Sequence, residues 1–115
     1  MAPPLPNVDQ AEIPHDKLRD YCLNPQHPRG QHKARVFRSA LGIGQQEWEY
    51  LRDQIAAALP SASIGSVSVS PFGSLYEVPI LIEGLNGQTH EIITAWIVAE
   101  DGDRPRLTSA YVNIP

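Results

Sequence analysis

The strongest limit on what this chain can fold into is a change of hydrophobic period at Pro60. Upstream of it, apolar residues recur at three- and four-residue spacing. Downstream they alternate. Helical spacing puts one stripe of a helix against a core, and alternation puts one face of a strand there. In "PHDKLRDYCL", Leu18, Tyr21 and Cys22 share a face, Pro14 suits a first turn and Asp16 suits the positive helix N-terminus. "NPQHPRG" interrupts with two prolines and a glycine. "QHKARVFRSAL" resumes with Ala34, Phe37 and Leu41 inward, and Gly42 and Gly44 end it. "QQEWEYLRDQIAAAL" is a third helix, with Trp48, Leu51, Ile55 and Leu59 inward.

Beyond Pro60, "SIGSVSVS" alternates, with Gly65 shifting its phase. "LYEVPILIE" places Tyr76, Val78, Ile80 and Ile82 on one face, and "THEIITAWIVAE" does the same for His90, Ile92, Thr94, Trp96 and Val98. The Asn-Gly of "LNGQ" is a hairpin signal between them, and "DGD" marks another turn. "PRLTSAYVN" is the last strand, with Leu107, Ser109 and Tyr111 expected on one face. Pro79 lacks a ladder donor, so its strand is expected at an edge or bulged there. The pattern predicts an α+β domain of about three N-terminal helices packed on a four-stranded antiparallel β-meander. Residues 1–13 carry three prolines and read as an extended N-terminal arm; residues 14–115 form one domain, with helices over 14–59 and the sheet over 62–113.

A chain of 115 residues can bury a core without staples. Cys22 is the lone cysteine, so no internal disulfide forms; it reads as a small core residue in a reducing, cytoplasmic setting. No apolar run is long enough to span a membrane, and the N-terminus lacks the basic and apolar regions of a secretory signal. Gly-x-Gly-x-x-Gly, Walker and Gly-x-Ser-x-Gly patterns are absent, which removes most nucleotide-cofactor and α/β-hydrolase chemistry; no cofactor is expected.

The formal net charge is −4, yet no carboxylate lies between Asp20 and Glu47. That gap holds Arg29, Lys33, Arg35 and Arg38 with His27 and His32. Screening confines charge effects to roughly 10 Å, so a local basic wall can act inside an acidic protein. A helix N-terminus beside His27, Arg29 and Lys33 suits an anion such as phosphate. A solvated basic helix is the plainer reading. The spacing of His27 and His32 matches no zinc pattern, and no metal site is expected. Thr94, Trp96, Ser109 and Tyr111 fall at exchangeable strand positions, where alternation does not decide between core and cleft.

The string "KLRDYCLNPQHPRGQHKARVFRSALG" resembles a bacterial domain family with the pattern K-L-x-x-Y-L-L-N-P-x-H-P-x-G-x-x-K-A-x-x-F. Here it is carried by Lys17, Leu18, Tyr21, Cys22, Leu23, Asn24, Pro25, His27, Pro28, Gly30, Lys33, Ala34 and Phe37. A Thr-x-Trp strand (Thr94, Trp96) and "PRLTSAY" (Pro105 to Tyr111) complete it, so the resemblance runs from about Leu5 to Tyr111. The chain departs from the pattern at Cys22 and Ser109. Such domains occur alone and at the tips of secreted toxins, and they resemble the barnase–EndoU–colicin–RelE superfamily. That resemblance implies a metal-independent ribonuclease whose substrate RNA, tRNA among the candidates, is cut by its own 2′-hydroxyl. It implies His27, Lys33, Ser109 and Tyr111 as catalytic groups, with His27 the acid/base. Arg29, His32, Thr94, Trp96 and Arg106 are then the RNA- or phosphate-binding groups. It also implies a cognate antitoxin or immunity protein as partner, no membrane, and a cytoplasmic protein or the secreted tip of a larger toxin. The rival expectation is a non-catalytic binding module of a toxin system, which the acidic net charge favours; a phosphate-binding domain without a reaction is a third.

Overall fold

The structure is a computed structural model that describes residues 3–100, 102 and 104–114. Helix α1 is a short turn, His15–Lys17, that runs on into a π turn over Leu18–Cys22. Helices α2 (Gln31–Leu41) and α3 (Trp48–Ala58) follow. Strands β1 (Ser66–Ser70), β2 (Gly73–Glu83), β3 (Thr89–Ala99) and β4 (Arg106–Val112) make one antiparallel sheet in the order β1-β2-β3-β4. The fold is therefore α+β, helices first and meander second. Among the described residues, no helix is long and apolar enough to cross a membrane.

The predicted stripes are what the two layers bury. Phe37 and Leu41 of α2 and Leu51 and Ile55 of α3 meet Val78, Ile80 and Ile82 of β2 and Ile92 and Trp96 of β3. Each such side chain contributes roughly 1.5–3 kcal/mol on burial. That outweighs the few tenths separating most helix propensities, so packing fixes where the helices lie. Gly42 closes α2 in the left-handed region at φ 67°, and the Ile43 N–H reaches back to the Phe37 carbonyl.

Strand β4 departs from simple alternation. Ala95 pairs with Ser109, but the next β3 residue, Trp96, pairs with Leu107. Thr108 is the extra residue of a β-bulge. The bulge reverses the phase, so Leu107, Ala110 and Val112 all face the core while Ser109 and Tyr111 do not. The expectation that Leu107, Ser109 and Tyr111 share a face is corrected here. A strict period of two cannot survive an inserted residue.

Pro79 lies in an inner strand, yet its surroundings meet the edge expectation. The β1–β2 ladder ends at Ser66 and Glu77, with Gly65 N–H donating to the Glu77 carbonyl. Pro79 follows two residues later on the same side, where β1 has already left. The β2–β3 hairpin is wider than a two-residue Asn-Gly turn. Glu83 pairs with Thr89, and Asn86 ties the intervening loop to α2 by donating from its side chain to the Ala40 carbonyl. Asp101 and Asp103 of the expected "DGD" turn lie outside the described residues.

The N-terminal arm is docked rather than free. Leu5 is only 1% exposed, the Ile64 N–H donates to the Pro3 carbonyl, and Glu12 bridges Arg106 in parallel along the outer edge of β4. Its prolines prevent regular structure without preventing packing.

Candidate anion-binding site

Loop 24–30, between α1 and α2, is held by its own polar side chains. The Asn24 Oδ1 accepts the Gln26 N–H at 3.0 Å, and the Asn24 amide donates to the Asp20 carbonyl at 3.3 Å. His27 Nδ1 accepts the backbone N–H groups of Arg29 and Gly30, each at 3.0 Å. The imidazole therefore satisfies donors at the start of α2 that the helix itself leaves without partners. Gly30 is required where it stands: a Cβ there would sit 2.0 Å from the Tyr21 carbonyl oxygen.

This geometry fixes the His27 tautomer. A nitrogen that accepts two N–H groups has no proton, so the neutral ring carries its hydrogen on Nε2. His27 presents a donor to its surroundings, not a lone pair. A donor at Nε2 fits the acid half of the acid/base role expected from its sequence context, whereas a base at Nε2 would need the proton on Nδ1.

Lys33, in the first turn of α2, reaches back to the π turn that follows α1. Its Nζ donates to the Tyr21 hydroxyl at 3.1 Å and lies 5.1 Å from the centre of the same ring. The His27 ring stands edge-on to Tyr21 at 4.9 Å between centroids. With Lys33 donating to its oxygen, the Tyr21 O–H is left to point elsewhere.

Beside this cluster opens a cavity of about 450 Å³, walled by Asp16 and Lys17 of α1, by Asp20 and Tyr21 of the π turn, by His27 and Arg29 of the loop, and by Thr108 at the β4 bulge. The hydrogen bonds of Arg19 hold the Asp20 carboxyl below its usual range. Asp16 makes no hydrogen bond or ion pair with the described residues. The cavity thus offers two cations, an imidazole N–H and a phenol O–H, with one unpaired carboxylate at the rim. Among the described residues, no three His, Cys, Asp or Glu side chains gather as a metal site needs.

The structure brings only part of the expected set together. His27 and Arg29 line this cavity. Lys33 joins it through Tyr21 and also lines a shallower hollow of about 370 Å³ with His32, Val36, Tyr111 and Val112. Ser109 lies half-buried, its Oγ 4.0 Å from Cys22 Sγ. Arg106 is elsewhere, paired with Glu12 at 3.2 Å beside Arg104, and does not join this cavity. Thr94 and Trp96 are fully buried. The Trp96 indole N–H donates to Thr94 Oγ1 at 2.8 Å, and Thr94 donates in turn to the Val78 carbonyl at 2.7 Å. That chain gives both buried polar side chains a partner. The expectation that Thr94 and Trp96 are RNA- or phosphate-binding groups is corrected by their burial.

Sequence reading missed Tyr21, Lys17 and Thr108. Helical spacing assigned Tyr21 to the core face, and its ring does pack there. The signal for its hydroxyl was Lys33, twelve residues on. Cys22 is buried as expected, and burial pushes its thiol pKa up. It has a structural task as well: its sulfur accepts the Ala110 N–H at 3.2 Å on the outer edge of β4.

An α+β domain with a cation-lined cavity where helix α1 meets the edge strand β4 is the class that fold and site define. Residues 4–114 match the family described as Domain of unknown function (DUF6883), and the chain belongs to that family. No curated protein sequence matches it. Among solved structures it is similar to a chain of the contact-dependent growth inhibition toxin–immunity protein complex from Klebsiella pneumoniae 342, at a TM-score of 0.65. The alignment covers 94% of this chain and 97% of that one at 15% identity, a likeness of fold.

Proposed function

We propose that this chain is a toxin-system domain that cleaves RNA without a metal. The observation that carries the reading is the convergence of Lys17, Tyr21, His27, Arg29 and the Tyr21–Lys33 hydrogen bond on one open cavity. The fold shared with a chain of a toxin–immunity complex supports it. In the reaction the ribose 2′-oxygen attacks phosphorus, the bond from phosphorus to the 5′-oxygen breaks, and a 2′,3′-cyclic phosphate remains. Asp16 takes the 2′-hydroxyl proton. Tyr21 gives its proton to the departing 5′-oxygen, and the adjacent Lys33 ammonium stabilises the phenolate until it is reprotonated. His27 Nε2–H, Lys17 and Arg29 hold the charge that builds on the phosphoryl oxygens.

The test is incubation with total tRNA and rRNA in EDTA. The expected result is cleavage leaving cyclic phosphate, reduced about 10²–10⁴-fold in Tyr21→Phe. Undiminished cleavage by that variant would remove Tyr21 from the mechanism, and no cleavage of any RNA by folded protein would overturn the reading.

One observation favours a second reading, a non-catalytic partner-binding module. Strand β1 is an edge whose Val67 and Val69 are exposed, Val69 by 86%, beside the exposed Phe72. Such an edge can add a strand from another protein. Absence of turnover together with a stable complex with a toxin encoded beside this gene, by native mass spectrometry, is its signature.

A further inference from the structure

A second cavity, of about 480 Å³, also borders loop 24–30, through Pro25. Pro25 and Leu23 form one end, Ala34, Arg35 and Arg38 of α2 form a wall, and Gln46 and Glu47 close it before α3. Arg35 and Arg38 are one turn apart and face the same opening, where like charges repel in the absence of a counterion. Neither makes an ion pair or side-chain hydrogen bond with any described residue, and the Glu47 carboxylate accepts the Gly44 N–H at 2.9 Å. Of the other described arginines, Arg19, Arg52, Arg104 and Arg106 are each held by an acid, and Arg29 lines the first cavity. Two unengaged guanidinium forks on one cavity wall fit the paired oxygens of a phosphodiester.

We propose that this groove is a second phosphate subsite, in which Arg35 and Arg38 bind the backbone of the RNA strand at a distance from the cut. The proposal rests on RNA being the substrate but not on the reaction itself. The two cavities share loop 24–30: Pro25 faces this one, and His27 and Arg29 face the other. A single strand crossing that loop meets both. The subsite holds backbone and not base, so it adds affinity without sequence preference.

The experiment measures fluorescence anisotropy of a 2′-O-methyl RNA 12-mer, which cannot be cut, against wild-type protein, Arg35→Ala/Arg38→Ala and Arg52→Ala over a salt series. Cleavage of ordinary RNA is followed in parallel. All three side chains reach solvent, and circular dichroism checks that the variants fold. Expected is binding about tenfold to a hundredfold weaker in the double variant, the range for losing charge-assisted hydrogen bonds. The slope of log K against log salt should shrink by about 1.4, two single-strand contacts. Arg52→Ala should bind like wild type. Equal affinity and slope in the double variant would overturn the subsite while leaving the ribonuclease reading intact. Binding lost in the double variant, with no RNA cut by any protein, would uphold the subsite and overturn the reaction. No binding by wild type would overturn both.

Discussion

Two side chains here serve the fold through atoms that a sequence reading assigns to chemistry. His27 is the first. Its Nδ1 closes the turn into α2, so an asparagine, whose Oδ1 sits where Nδ1 does, should keep the turn, whereas glutamine should not. His27→Gln is expected to lose about 0.5–2 kcal/mol by thermal denaturation, the worth of a helix cap, and His27→Asn much less. Equal losses in the two variants would show that the Nδ1 bonds are not what matters. Thr94 is the second. Thr94→Val strips the Trp96 indole and the Val78 carbonyl of their buried partner at once and should cost about 2–4 kcal/mol in urea unfolding, with Thr94→Ser close to wild type. Alternation placed Thr94 and Trp96 on one face correctly. It could not say that the hydroxyl and the indole satisfy each other, because that depends on the Val78 carbonyl sixteen residues away in sequence. Cys22 carries a pH dependence. Burial raises its thiol pKa above the ordinary value of 9.0. Its contribution to stability is therefore complete below that value and is lost as pH rises from there toward the folded pKa. A thiol reagent at neutral pH should react only as fast as the protein opens, and Cys22→Ala should flatten the alkaline fall in melting temperature.

Among the elements, α2 was the most legible and β4 the least. Helix α2 has its stripe, its glycine stop and a clean proline-glycine lead-in, and its span of Gln31–Leu41 matches the reading of the residues. Strand β4 hides a bulge, because Thr108 is chemically at home in an unbroken strand and nothing local marks the insertion. The approach of α1 to α2 depends on Gly30 having no side chain. Gly30→Ala would drive a methyl into the Tyr21 carbonyl. It should cost at least about 1–3 kcal/mol and disturb the Tyr21–Lys33 pair with it, visible as a lower midpoint in urea and a changed tyrosine environment. An unchanged midpoint would mean the loop can retreat at no cost. The candidate site was half legible for the same reason. Its basic residues come from one acid-free stretch, but Lys17, Tyr21 and Thr108 join them only through how α1 crosses β4.

For the molecule as a whole, the arm alters the reckoning of what belongs to the domain. Three prolines among residues 1–13 suggested a loose lead, yet Leu5 is as buried as the helix cores. Leu5→Ala should therefore cost about 2–5 kcal/mol, as a core leucine does, and a fit within 0.5 kcal/mol of wild type would return the arm to the status of a tether. The meander itself is local, each strand pairing with its neighbour in sequence, which favours rapid formation. The contacts that tie β4 to the N-terminal part are not local: Glu12 with Arg106 spans 94 residues, Glu12 with Arg104 92 and Cys22 with Ala110 88. During synthesis the arm leaves the ribosome well before the edge that Glu12 lies against. A nascent fragment stopped short of β4 therefore leaves Glu12 without Arg104 and Arg106, and offers proteases an arm end that the folded domain pins down.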